Sequence, residues 1–156
     1  MPTPPPAATV HLAFSPDPAY VRTVRLVASA VARQAGVADD LLDEVRLAIG
    51  EACTRAVALH RRHGMHEMID ISMTDGNRFV VRVVDRGPAE KARQPGGDLV
   101  AEVNSGAPPL LDEDELTAGV GLALLTGLVS DLQVNAADDG MGTEVRMSWP
   151  VQRRSH

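Results

Sequence analysis

Aromatic residues are scarce in this chain of 156 residues: one Trp, one Tyr and two Phe, 3% in all. That scarcity removes the stacking platforms that hold single-stranded nucleic acids. It also leaves the core to Val, Leu, Ile, Ala and Met. Cysteine is scarcer still. Cys53 stands alone, so no internal disulfide can form, and its apolar neighbours give it the part of a small hydrophobe. Excess positive charge is missing too: a net charge of −6 and a pI near 5.3 argue against a nucleic-acid or anionic-membrane surface as partner. No stretch approaches the ~20 apolar residues that a membrane-spanning helix needs. The opening MPTPPPAATV has neither the basic start nor the apolar run of a signal peptide. These absences together lead to the expectation of a soluble, cytoplasmic protein.

What is present is a folding chain. Hydrophobic residues make up 44%, too many for a disordered polymer, and the length suits one domain with a proper core. The Pro-rich residues 1–8 read as a disordered tail, residues 9–150 as the domain, and residues 151–156 as a second tail.

Asp40–His60 reads as one long helix, because Leu42, Val45, Ile49, Ala52, Cys53, Ala56 and Val57 recur at helical spacing. Asp39 or Asp40 is placed to cap it. Glu51 falls at the edge of the apolar stripe and Arg55 lies one turn further on, so a surface Glu–Arg pair is the plain reading of the two. A carboxylate in such a partly desolvated place can also act as a base.

Before this helix, Val10, Leu12 and Phe14 alternate as a short strand. Asp17 and Pro18 then open a helix that Gly36 ends, with Arg22, Arg25 and Arg33 off its apolar face. After the long helix come strands Ile69 to Met73 and Phe79 to Val84, joined by an Asp75-Gly76-Asn77 hairpin. Residues 88–118 have no period and many Pro and Gly, as a functional lid or a disordered segment would. A third helix opens at Thr117, and strands Leu132 to Ala136 and Thr143 to Trp149 close the chain. The order β-α-α-β-β-lid-α-β-β predicts an α/β two-layer sandwich. Its sheet would be mixed but mostly antiparallel, covered on one face by helices.

Three stretches carry chemistry: Glu51-Ala-Cys-Thr-Arg55, Asp85-Arg-Gly87 at the exit of a buried strand, and Gly119-Val-Gly121-Leu122 at a helix start, with Gly142-Thr143 later. A Gly-x-Gly at a helix N-terminus lets phosphate approach free N–H groups. His60, His63 and His66 recur at spacings of three, but Gly64 interrupts them, and a solvated helix end is expected rather than a metal site.

In this order the stretches resemble the GHKL (histidine kinase-like) ATP-binding fold, and within it the bacterial serine-kinase anti-sigma factors. The resemblance spans about residues 9–150. It implies ATP as cofactor, Glu51 as the base that activates a serine hydroxyl, and Asp85 as acceptor of the adenine amino group. It also implies Gly87 as the point of close approach, Gly119, Gly121 and Leu122 closing on the phosphates, and Thr143 near the adenine.

Two positions depart from the family pattern. The family's Mg²⁺-ligating Asn is Arg55 here, which has no lone pair for a metal but is suited to contact phosphate. The second Gly after Asp85 is replaced by Ala89. The resemblance further implies a sigma factor and a STAS-type anti-anti-sigma protein as partners, and a homodimer. Two activities follow: an ATP-dependent serine kinase, or a catalytically inactive partner-binding module on the same fold.

Overall fold

The computed structural model describes residues 8–88, 125–137 and 141–152. Its framework is a five-stranded sheet formed by β1 (Thr9–Phe14), β2 (Ile69–Thr74), β3 (Arg78–Asp85), β4 (Leu132–Ala136) and β5 (Thr143–Pro150), in the order β1-β2-β3-β5-β4. All four pairings are antiparallel, where a mixed sheet was expected. The reason is topological. β3 and β4 run in the same sense, but β5 folds back from β4 and lies between them, so no parallel pair arises.

Alternation along the strands decides which face is covered. Ile69, Ile71 and Met73 on β2, Phe79, Val81 and Val83 on β3, and Val145, Met147 and Trp149 on β5 are buried, while the residues between them are mostly half-buried. A strand with such a pattern is fixed in register, since a one-residue slip would turn its whole apolar set to solvent. The helices α1 (Val21–Ala35) and α2 (Leu42–Arg62) cover the apolar face. The α/β two-layer architecture is therefore as the sequence implies.

The end signals of α1 act as read. Asp17 accepts the Ala19 N–H at 2.9 Å, Pro18 follows in a short 3-10 turn, and Gly36 closes the helix at φ 98°. At α2 the capping expectation fails. Asp39 and Asp40 lie in a 3-10 turn, Asp39–Leu41, and neither caps the helix. Asp43 and Glu44 stand in its first turn, where their charge suits the helix dipole. The helix also runs to Arg62, two residues beyond its expected end.

The core is aliphatic, as the scarcity of aromatics requires. Phe79 and Trp149 meet with ring centroids 6.2 Å apart, and the Trp149 indole donates to Glu44 Oε2 at 2.6 Å, tying the end of the sheet to the start of α2. Burying each large aliphatic chain is worth roughly 1.5–3 kcal/mol.

At the two ends of the described residues, the Asp75 N–H donates to the Ala8 carbonyl at 2.9 Å and the Gln152 N–H to the Gly36 carbonyl at 2.8 Å. Of the third helix, residues 125–128 are helical, with Leu125 and Val129 buried in the core. Gly119, Gly121, Leu122 and the 89–118 part of the lid-like segment lie outside the described residues.

Candidate functional site

Asp85 continues the inward row of β3 after Phe79, Val81 and Val83, so its carboxylate is delivered beneath α2 and is only 1% exposed. A carboxylate there needs partners, because burying an unpaired charge is prohibitively costly. It has two. Oδ1 accepts the Gly87 N–H at 3.0 Å, and Oδ2 accepts Arg55 Nη1 at 3.0 Å.

Arg55 reaches Asp85 because of its place on α2. It belongs to the core-facing row Ala48, Ala52, Arg55, Leu59, and it is 5% exposed. The plain expectation of a surface pair with Glu51 is thus corrected: the guanidinium turns inward to the strand end, 30 residues away in sequence. Glu51 remains half-buried at the edge of the stripe, with no ion-pair partner among the described residues. Arg55 Nε is buried and has no hydrogen-bond partner among the described residues.

The loop after β3 is clamped by the same helix. A Cβ at Gly87 would fall 2.5 Å from Leu59 Cδ2, so this glycine admits the end of α2. His60 is fully buried, contrary to the expected solvated helix end. Its Nε2 accepts the Arg86 N–H at 2.8 Å and its Nδ1 lies 3.0 Å from the Glu67 carbonyl. The accepted N–H fixes the tautomer: Nε2 is bare and Nδ1 carries the proton. His63 and His66 are exposed, and among the described residues no group of three or more His, Cys, Asp or Glu side chains could hold a metal.

β5 supplies the other wall. Thr143 pairs directly with Asp85 in the β3–β5 register, so the two residues that the family resemblance assigns to the adenine are neighbours. Gly142, the first residue of the Gly142-Thr143 stretch, has a structural part of its own. Its φ is +101°, and a Cβ there would lie 2.0 Å from the Asp85 carbonyl oxygen. The signal available in the sequence was the glycine immediately ahead of Thr143 in a turn.

Of the expected site residues, Asp85, Gly87, Arg55 and Thr143 come together, Glu51 lies one turn before Arg55 on α2, and Gly119, Gly121 and Leu122 lie outside the described residues. The donor set does not fit Mg²⁺ at the position of Arg55, since a guanidinium has no lone pair and its charge repels a cation. Asp85, to which the resemblance assigns the amino group of a purine, already has Oδ2 engaged by Arg55, so a base would have to share that oxygen or displace the guanidinium.

Cys53, on the buried face of α2, is not part of this chemistry. Burial pushes its thiol up to about 12, against a smaller opposing effect of the Arg25 charge.

A second feature lies on the outer side of the helices. Pro18, Val21, Val57 and Ala58 floor a groove of about 340 Å³, flanked by Arg22, Arg25 and Arg61, with Thr54 at its side. None of the three arginines has an ion-pair partner among the described residues.

A family described as the histidine kinase-like ATPase domain matches residues 14–149. Among curated proteins, the chain is similar to the serine-protein kinase RsbW of Bacillus cereus, 30% identical over 139 residues, covering 86% of this chain and 79% of the relative. The RsbW of Bacillus anthracis gives the same figures. That of Bacillus velezensis is 28% identical over 130 residues, covering 81% and 78%.

Proposed function

The chain belongs to the histidine kinase-like ATPase domain family, alongside the RsbW serine-protein kinases, and from that premise we propose that it is an anti-sigma-factor-type regulator working by partner exchange. It binds a sigma factor, holds it from RNA polymerase, and gives it up when a STAS-type protein competes. A switch between mutually exclusive partners needs only a difference of affinities. The regulator works in the cytoplasm, as a homodimer.

The observation that carries this reading is the Arg55–Asp85 ion pair. Phosphoryl transfer is positioning plus electrostatic stabilisation around a metal-bound phosphate. Here the position that the resemblance gives to a metal ligand is a buried cation, and its hydrogen bond among the described residues goes to Asp85, the residue that the resemblance gives to the adenine. Glu51 remains available as a base, but the position four residues on that would hold the metal no longer does so. Among the two activities that the sequence resemblance implies, the partner-binding module is favoured over the kinase.

The arginine groove between α1 and α2 supports the binding half. In a protein of net charge −6, three arginines with no ion-pair partner among the described residues surround an apolar floor and make a local positive field that suits an acidic partner segment. The test is co-expression with each sigma factor and STAS-domain protein of the source organism, followed by size-exclusion chromatography of the pairs. A sigma-factor complex that the STAS protein dissolves is expected. Failure to bind any of them overturns the proposal.

A further inference from the structure

We infer that Arg55 is a built-in competitor for the nucleotide-base subsite, so that the amino group of a purine has to compete with its guanidinium for Asp85. The inference rests on the reading of Asp85 as the acceptor for a base amino group.

The chemistry of the two donors is alike. A guanidinium Nη and a purine exocyclic amino group are both planar nitrogens that present N–H bonds to a carboxylate. Arg55 Nη1 makes that contact already, at 3.0 Å to Oδ2, while Gly87 N–H holds Oδ1. Three properties favour the internal donor. It is charged, and a charge-assisted bond to carboxylate is roughly twice as strong as a neutral one. It is tethered to the same chain, so its effective concentration at Asp85 is that of an intramolecular group. It is also buried together with its acceptor, 6% and 1% exposed by side chain, so water weakens the pair little.

The orphaned Nε indicates what the arrangement is built around. A buried N–H without a partner costs roughly 1–3 kcal/mol, and Arg55 accepts that cost at Nε while keeping Nη1 on Asp85. The pair, rather than full satisfaction of the guanidinium, fixes the side chain. The result is a fold in which Asp85 already holds an internal donor at the place the reading assigns to a base amino group.

The test is calorimetric titration with ATP and, separately, with adenosine, in buffer containing EDTA so that no metal enters the comparison. The proteins are the wild type, Arg55→Asn, Asp85→Asn and the double variant Arg55→Asn/Asp85→Asn. Freeing Asp85 from a charged hydrogen bond is expected to raise affinity for both ligands by about tenfold to a hundredfold in Arg55→Asn, and the double variant should lose the gain. Trp149 fluorescence establishes that each variant is folded. If Arg55→Asn is not, Arg55→Gln takes its place. Equal affinity in wild type and Arg55→Asn, abolished in each background by Asp85→Asn, overturns the competitor inference and leaves Asp85 as the base acceptor. A folded Arg55→Asn that binds neither ligand, or binding that Asp85→Asn leaves unchanged, overturns the reading of Asp85 and the inference with it.

Discussion

Arg55 on α2 and Asp85 at the end of β3 form an ion pair, 3.0 Å long, that joins the helix layer to the sheet. In a pair so deeply buried, removing either partner leaves the other without its counter-charge where water hardly reaches. It is consequently more a constraint on which substitutions the site tolerates than a source of net stability.

Removing one partner should therefore cost more than removing both. Arg55→Met and Asp85→Leu are each expected to destabilise the fold by about 3–5 kcal/mol, while the double variant Arg55→Met/Asp85→Leu costs less than either. Urea unfolding followed by Trp149 fluorescence measures all of these. Additive losses would mean that the pair is not coupled.

Gly142 and Gly64 both have positive φ but differ in surroundings. At Gly142 a Cβ would collide with the Asp85 carbonyl, whereas at Gly64 nothing lies within 4 Å. Gly142→Ala should cost about 3 kcal/mol or more, since strain and overlap add. Gly64→Ala should cost about 1–2 kcal/mol, the left-handed backbone penalty alone. Thermal unfolding of the two variants separates the cases.

His60 holds the Arg86 N–H through Nε2. A Gln carbonyl can reach where Nε2 stood, while an Asn side chain stops short at the δ position. His60→Gln should keep most of the stability that His60→Asn loses, and amide hydrogen exchange at Arg86 should quicken in the Asn variant only. Equal exchange in both variants would show that the Nε2 contact does not hold the loop.

Cys53 titrates near 9.0 when unfolded but only at about 12 in the folded protein. Below pH 9 both states keep the proton, so the contribution is fully present there. Between pH 9 and 12 the unfolded chain releases it first, and stability falls by up to about 1 kcal/mol per pH unit. Cys53→Ala should lack this part of the alkaline slope. At neutral pH a thiol reagent should modify Cys53 only as fast as the protein opens.

Much of this was legible in the strands. The alternation of Ile69, Ile71 and Met73, and of Val145, Met147 and Trp149, gave both the elements and their inner faces, and Asp17-Pro18 and Gly36 marked the ends of α1. Asp85 was legible as the exit of a buried strand, and Thr143 as its neighbour only through the family resemblance. What local sequence does not carry is the partner across the fold. Arg55 sits on the core-facing row of α2, but a charge there reads as surface until the strand end beneath it is known. His60 looks like a solvated helix end for the same reason: the Glu67 carbonyl and the Arg86 N–H that bury it come from other segments. The antiparallel placing of β5 between β3 and β4 is likewise a matter of topology, which alternation alone leaves open.

Partner exchange without phosphoryl transfer is tested most directly on the STAS-type protein that displaces the sigma factor. That protein is incubated with the regulator, ATP and Mg²⁺, and its intact mass and serine-containing peptides are then examined by mass spectrometry. The account predicts that the sigma factor is released while the STAS protein stays unphosphorylated. A phosphoserine that appears with the wild type and disappears with Glu51→Gln would contradict it, and would make Glu51 the base of a working kinase despite Arg55.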